Sequence, residues 1–251
     1  MNKQIKRFIK KNIPSRYLEL LSHKAISITK IPDDGSVISD LFVLRLENQW
    51  ETYFECLKFN TIFYPNDISN LKKVVFCFYN KKGEYISEKE VKLSSSIKTT
   101  LNVNILAKDL NISKDCLFAI FHPQKNYWIS NHNSFLAERG YIGYANPNFG
   151  KIKSFVHGNL DAIARNNDRK DDILLGNFSF FKKQYNLQHI LTEGNSYELF
   201  LVNPTFKKQK IKIIEETNCI KKEKESVIPS KGLFNHNIYV KKKEKTKVVI
   251  E

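Results

Sequence analysis

The chain has 251 residues, 41% of them hydrophobic and 12% aromatic, with 18 Phe, 11 Tyr and a formal net charge of +15. That make-up excludes a disordered chain, allows one large or two ordinary domains, and favours strands through its Phe, Tyr, Ile and Val. The charge sits at the ends: residues 1–30 hold eight Lys/Arg against Glu19 alone, a net of +7, and residues 205–251 hold thirteen Lys against six Glu, again +7. The body between them is close to neutral. A protein that tracks nucleic acid along its body needs cations along its length, so nucleic acid is not an expected partner. The basic ends fit contact with an anionic membrane surface instead.

Residues 1–31 are expected to form a basic, amphipathic helical segment. Ile5, Phe8, Ile9 and Ile13 recur at helical spacing, and Lys3, Lys6, Arg7, Lys10 and Lys11 take the other side. The segment lacks the apolar stretch of a secretory signal, and no apolar run reaches the roughly 18 residues of a spanning helix. A cytoplasmic location is expected, with membrane contact through this segment.

After the turn at Pro32–Ser36 the pattern changes to strands. Leu41–Leu46, Cys56–Tyr64, Val74–Tyr79, Tyr85–Ile86, Val91–Leu93, Thr100–Ile105 and Asp115–His122 all read as extended, separated by turn residues such as Asn80–Glu84. Strands at about ten-residue spacing point to a sandwich or barrel, and the sandwich is expected here over 37–130. Residues 131–172 read as a polar, aromatic connecting segment. Residues 173–251 repeat the style, through Ile173–Leu175, Tyr197–Val202, Lys210–Ile214, Ser226–Pro229, Gly232–Phe234 and Val248–Ile250. The expected fold is therefore mainly β: two tandem antiparallel β-sandwich-like domains behind a short helical segment. A weak echo links the halves, Phe76–Asn80 then Val91–Leu93 then Leu101–Ile105 against Leu199–Asn203 then Val227–Pro229 then Phe234–Ile238.

Cys56, Cys77, Cys116 and Cys219 form no CxxC pair and read as buried free thiols. Lysines alternating with Ile and Val in the last 47 residues read as guards on exposed sheet edges.

Residues that could carry chemistry concentrate between 122 and 161. Trp128, Tyr141 and Tyr144 offer flat apolar platforms, and Asn131, Glu138, Arg139, His157, Asn159 and Asp161 offer polar partners, the make-up of a glycan-binding surface. The order His132, Glu138, His157 resembles the His/Glu/His order of cupin barrels. The paired HxH that opens that motif is absent, because Asn131-His132-Asn133 supplies one histidine, so neither a metal nor another cofactor is expected. No Gly-rich phosphate loop and no nucleophile elbow is present. The sequence thus points to a non-catalytic binding or interaction protein with a glycan as its expected partner. An enzyme acting on a sugar or small polar substrate through Glu138, Arg139, His157 and Asp161 is the alternative, and electrostatic attachment to nucleic acid is the third.

Overall fold

In the computed structural model the protein is mainly β, and all paired strands run antiparallel. The structure describes residues 36–39, 41–57, 73–121, 128–129, 134–135, 140–149, 154–157, 162–165, 173–175, 184–187, 191–192, 194–203, 208–241 and 245–251. The helical segment expected over 1–31 lies outside them.

In chain order come β1 (Ser36–Ser39), β2 (Phe42–Leu44), β3 (Glu51–Leu57), β4 (Lys73–Tyr79), β5 (Tyr85–Lys92) and β6 (Lys98–Asn102). Helix α1 (Val103–Asp109) follows, then β7 (Cys116–Phe121), β8 (Trp128–Ile129), β9 (Ser134–Phe135), β10 (Gly140–Ala145) and β11 (Ser154–His157). The second half holds β12 (Ala162–Arg165), β13 (Ile173–Leu175), β14 (Tyr185–Asn186), β15 (Leu191–Thr192) and β16 (Ser196–Val202). It ends with β17 (Gln209–Thr217), β18 (Ile220–Ile228), β19 (Leu233–Tyr239) and β20 (Lys245–Ile250).

Two four-stranded sheets enclose the larger core: β2-β7-β4-β5 on one side and β11-β10-β3-β6 on the other. Rings from both sheets meet in the middle. Phe54 of β3 lies 5.0 Å from Phe42, 5.9 Å from Phe118 and 6.1 Å from Phe76, each edge-on, the arrangement that aromatic quadrupoles favour. After Lys73, β4 reads Val-Val-Phe-Cys-Phe-Tyr, apolar without a break and buried on both faces. Phe42, Phe76, Phe78 and Phe118 register on the face toward Phe54, whereas Val43, Cys77, Tyr79 and Leu117 register on the opposite pleat and are buried as well.

The ribbon β16–β19 is shared between this core and a smaller one. Its register puts Phe200/Asn235 and Val202/Leu233 on one face, and Tyr197/Ile238, Leu199/His236 and Leu201/Phe234 on the other. Phe200, Val202 and Leu233 pack with the larger cluster. Ile238, with Tyr197, Leu199, Leu201 and Phe234 against it, belongs to the smaller one, beside Leu191, Ile213, Val240 and Val248. A strand buried on both faces needs no alternation, which is why Leu199-Phe200-Leu201-Val202 is apolar throughout. Further along the chain β14, β20, β17 and β18 form a sheet in that order, with β15 also on β20, whereas β12 and β13 pair with β1 in the order β1-β12-β13. Asn218 and Cys219, both at positive φ, close the β17–β18 hairpin with a two-residue turn. Among the described residues β18 is the edge of that sheet and carries exposed Lys221, Lys222 and Lys224, in keeping with lysine as an edge guard.

The two halves meet again at their turns. Asn80 Oδ1 accepts the amides of Lys82 and Glu84, shaping the β4–β5 turn. At its tip Gly83 has φ +84°, and a Cβ there would stand 2.1 Å from the Ser230 carbonyl oxygen. Only glycine permits both the backbone angle and the approach. The Leu233 amide then bonds to the Lys81 carbonyl at 2.9 Å.

Three details differ from the sequence reading. The run Thr100–Ile105 is not one strand: β6 stops at Asn102, whose side chain accepts the Asn104 amide at 3.0 Å and caps α1, so Val103 and Ala107 share a buried helical face. Cys56, Cys77 and Cys116 are buried free thiols, but Cys219 sits exposed in its hairpin turn. The echo between the halves is not an echo of pairing, because β4 pairs with β5 whereas β16 pairs with β19.

Candidate outer sheet face

β10 comes from the stretch read as a connecting segment, yet it is an inner strand between β3 and β11. Its inward positions explain Gly140 and Tyr144. A Cβ on Gly140 would stand 1.9 Å from the Phe54 ring, so the ring occupies the space a side chain would need. Tyr144 reaches across the core and donates its hydroxyl to the Val43 carbonyl at 2.8 Å. Its ring is edge-on to Trp50 at 6.5 Å, and burial raises its phenol well above the ordinary range. The same corner is tied by Thr52, whose hydroxyl accepts the Arg45 amide and donates to the Arg45 carbonyl. Tyr144 is thus a strut between the two sheets.

The outward positions of the same strands make a different surface. Tyr53 is opposite Gly143 and Asn102; Glu55 is opposite Tyr141 and Thr100; and Tyr141 is opposite His157 on β11. Directly opposed residues share a face, and diagonal neighbours lie roughly 7–8 Å apart. Tyr53 and Tyr141 are diagonal neighbours across the β3–β10 pair, and Gly143 places no side chain beside Tyr53. Around them Tyr53 donates to Glu51 Oε2 at 2.6 Å, and Glu55 Oε1 accepts from Lys98 Nζ at 3.1 Å and Thr100 Oγ1 at 3.3 Å. The Glu51 hydrogen bond, with a smaller contribution from burial, raises the Tyr53 phenol above its ordinary 10.0. The result is a half-exposed aromatic pair rimmed by two carboxylates, an ammonium and a threonine hydroxyl.

Of the residues singled out from sequence, Tyr141 and the His157 backbone position therefore come together, and Tyr144 faces the opposite way into the core. Trp128 is opposite Phe135 in the short β8–β9 pair. Glu138, Arg139, Asn159 and Asp161, with His122 and His132, lie outside the described residues. Sequence reasoning missed Tyr53, Glu55, Lys98 and Thr100. The signal was present in Thr52-Tyr53-Phe54-Glu55-Cys56, a clean in–out alternation, but the strand was expected to begin only at Cys56.

Among the described residues, a further cluster of charges centred on Arg45 is structural. Arg45, 7% exposed, pairs with Glu198 at 2.6 Å and Asp115 at 3.4 Å, and lies 4.7 Å from the Trp50 ring and 4.5 Å from the Phe200 ring. Asp115 is committed further by the amides of Leu46 and Glu47. This clamp joins β16 to the larger core. Among the described residues no three or more His, Cys, Asp or Glu side chains are placed to hold a metal ion, and no helix is long and apolar enough to cross a membrane.

No family model matches the chain, and no curated protein matches it. Among solved structures, a calcium-binding mutant of Bacteroides uniformis beta-glucuronidase 2 is similar at 9% identity and a TM-score of 0.19, over 83% of this chain and 21% of that one. The chain spans about a fifth of that protein's length.

Proposed function

We propose that this chain is a non-catalytic binding protein, built as two tandem β-sandwich-like units, that engages a glycan on the outer face of the β11-β10-β3-β6 sheet. The observation that carries the reading is the diagonal pair Tyr53 and Tyr141 beside Gly143. A sugar presents an apolar C–H face and a rim of hydroxyls. A flat ring takes the first, and carboxylates, which accept strong charge-assisted hydrogen bonds, take the second. Glu51, Glu55 and Thr100 stand where such a rim would fall. Trp128, Glu138, Arg139, His157, Asn159 and Asp161 belong to the reading as its further aromatic and polar members. The basic segment 1–31 enters as an anchor to anionic lipid, tested by comparing sedimentation of the full chain with neutral and anionic vesicles.

The binding test is an array of immobilised oligosaccharides covering neutral and anionic classes. Retention of the native chain is expected, with about tenfold weaker binding, ~1.4 kcal/mol, for Tyr53→Ala and for Tyr141→Ala at an unchanged melting temperature. Binding that survives both substitutions, or no binding to any class, overturns the proposal.

A further inference from the structure

His236 lies on β19, where its register faces the smaller core, and its side chain is only 7% exposed. Its Nε2 is 2.7 Å from Glu215 Oε1 on β17, and its Nδ1 is 3.4 Å from Lys224 Nζ on β18. The ring lies parallel to Phe234, 6.4 Å between centroids, and Lys224 Nζ also stands 5.6 Å from the centre of the Phe234 ring. One histidine thus touches both strands of the hairpin β17–β18 from the ribbon that crosses it. None of these groups takes part in the proposed glycan face.

The chemistry of the partners fixes the proton. An ammonium has three donors and no acceptor, so Lys224 can bond Nδ1 only through that nitrogen's lone pair. The single proton of the neutral ring must then sit on Nε2 and be donated to Glu215. A second proton goes to Nδ1 and sets an N–H against the ammonium. Of the two cations, Lys224 is the one free to leave, since it sits on an exposed edge strand on a flexible stem, whereas His236 is buried and gains an ion pair with Glu215. Among the described residues, the other elements around the ring supply little to oppose this. On the face of β18 that carries Lys224 the other cation is Lys222, opposite Glu215, while Lys221 registers on the opposite face; on β20 the residue opposite Glu215 is Val248; on β16 the residue opposite His236 is Leu199, and the Tyr197 hydroxyl is engaged by Thr192.

We propose that His236 is a proton-operated latch: in its neutral form it holds Lys224, and with it the edge strand β18, to the ribbon β16–β19, and a second proton releases them.

Nitrogen-labelled histidine in the full chain reports the tautomer directly by NMR, and amide exchange reports the hairpin. At neutral pH His236 is expected as the Nε2–H tautomer. As the pH is lowered until the imidazole holds its second proton, the protection factors of the β17–β18 ladder amides should fall about tenfold or more while those of β16–β19 hold. Lys224→Met should show the lowered protection at every pH, and His236→Gln, whose amide can still donate to Glu215, should show no pH step. An Nδ1–H tautomer at neutral pH, a step of less than about twofold as the second proton binds, or the same step in either variant overturns the latch. Should His236→Gln fail to fold, the tautomer and the Lys224→Met profile decide alone.

Discussion

β3 and β4 are both seven-residue strands inside four-stranded sheets, and they face each other across one core, yet their sequences obey different rules. From Val74 onward β4 is apolar because both of its faces are covered. β3 alternates, Thr52, Phe54 and Cys56 inward and Glu51, Tyr53 and Glu55 outward, because only one is. The unbroken strand tells where the molecule closes upon itself. The alternating strand, with β10 beside it, leaves Tyr53 and Tyr141 half-exposed on its other face, where the proposed ligand would meet them.

That contrast can be broken in stages. Phe118→Ala empties the middle of the aromatic core and should lower stability by about 3–5 kcal/mol in chemical denaturation, whereas Tyr53→Ala, on the open face, should cost less than about 1 kcal/mol. Comparable losses would show that the β3 face is covered in solution. Arg45→Ala removes the cation from between Asp115 and Glu198 and should cost about 3 kcal/mol, because it strands a buried carboxylate. Measured by the same denaturation, a loss below about 1 kcal/mol would show that the clamp does not hold β16 to the larger core. Gly140→Ala should cost about 1–3 kcal/mol through collision with Phe54, and a neutral result would mean that the Phe54 ring does not lie over Gly140 as described.

The thiols sharpen the same distinction between closed and open surface. Burial, reinforced by Asp115 and opposed by Lys81, pushes Cys116 from its ordinary 9.0 up to about 12. Its contribution to stability is therefore full below pH 9.0 and declines as the pH rises toward about 12, where the folded thiol finally ionises. Labelling of the folded chain with a disulfide reagent near pH 8 should modify Cys219 rapidly and leave Cys116 untouched. Rapid reaction at Cys116 would contradict its place in the core.

Most of the strand order was legible because apolar runs and turn residues are local signals. Val74–Tyr79 and Tyr197–Val202 name themselves. What was hidden depended on partners. Asn102 ends β6 because its side chain reaches the Asn104 amide, a choice of cap over ladder that composition cannot show. Tyr141 and Tyr144 are three residues apart and look alike in sequence, but the pleat sends one outward and the other into the core, and only the register with β3 reveals which. Tyr53 and Glu55 escaped notice for the same reason, since they become part of a surface only when β10 is laid beside them. His236 lies in Phe234–Ile238, a stretch noted in the sequence only for its echo of Leu101–Ile105, and nothing local connects it to Glu215 or Lys224.

The most direct test of the open face is an NMR titration of the full chain, with carbon-labelled tyrosine rings, against neutral oligosaccharides of the cellulose, xylan, mannan and chitin types. The account predicts that the ring signals of Tyr53 and Tyr141 move together with at least one of these sugars while those of Tyr79 and Tyr144, held in the interior, stay where they are. Signals that stay fixed with every sugar, or movement confined to other tyrosines, would contradict it.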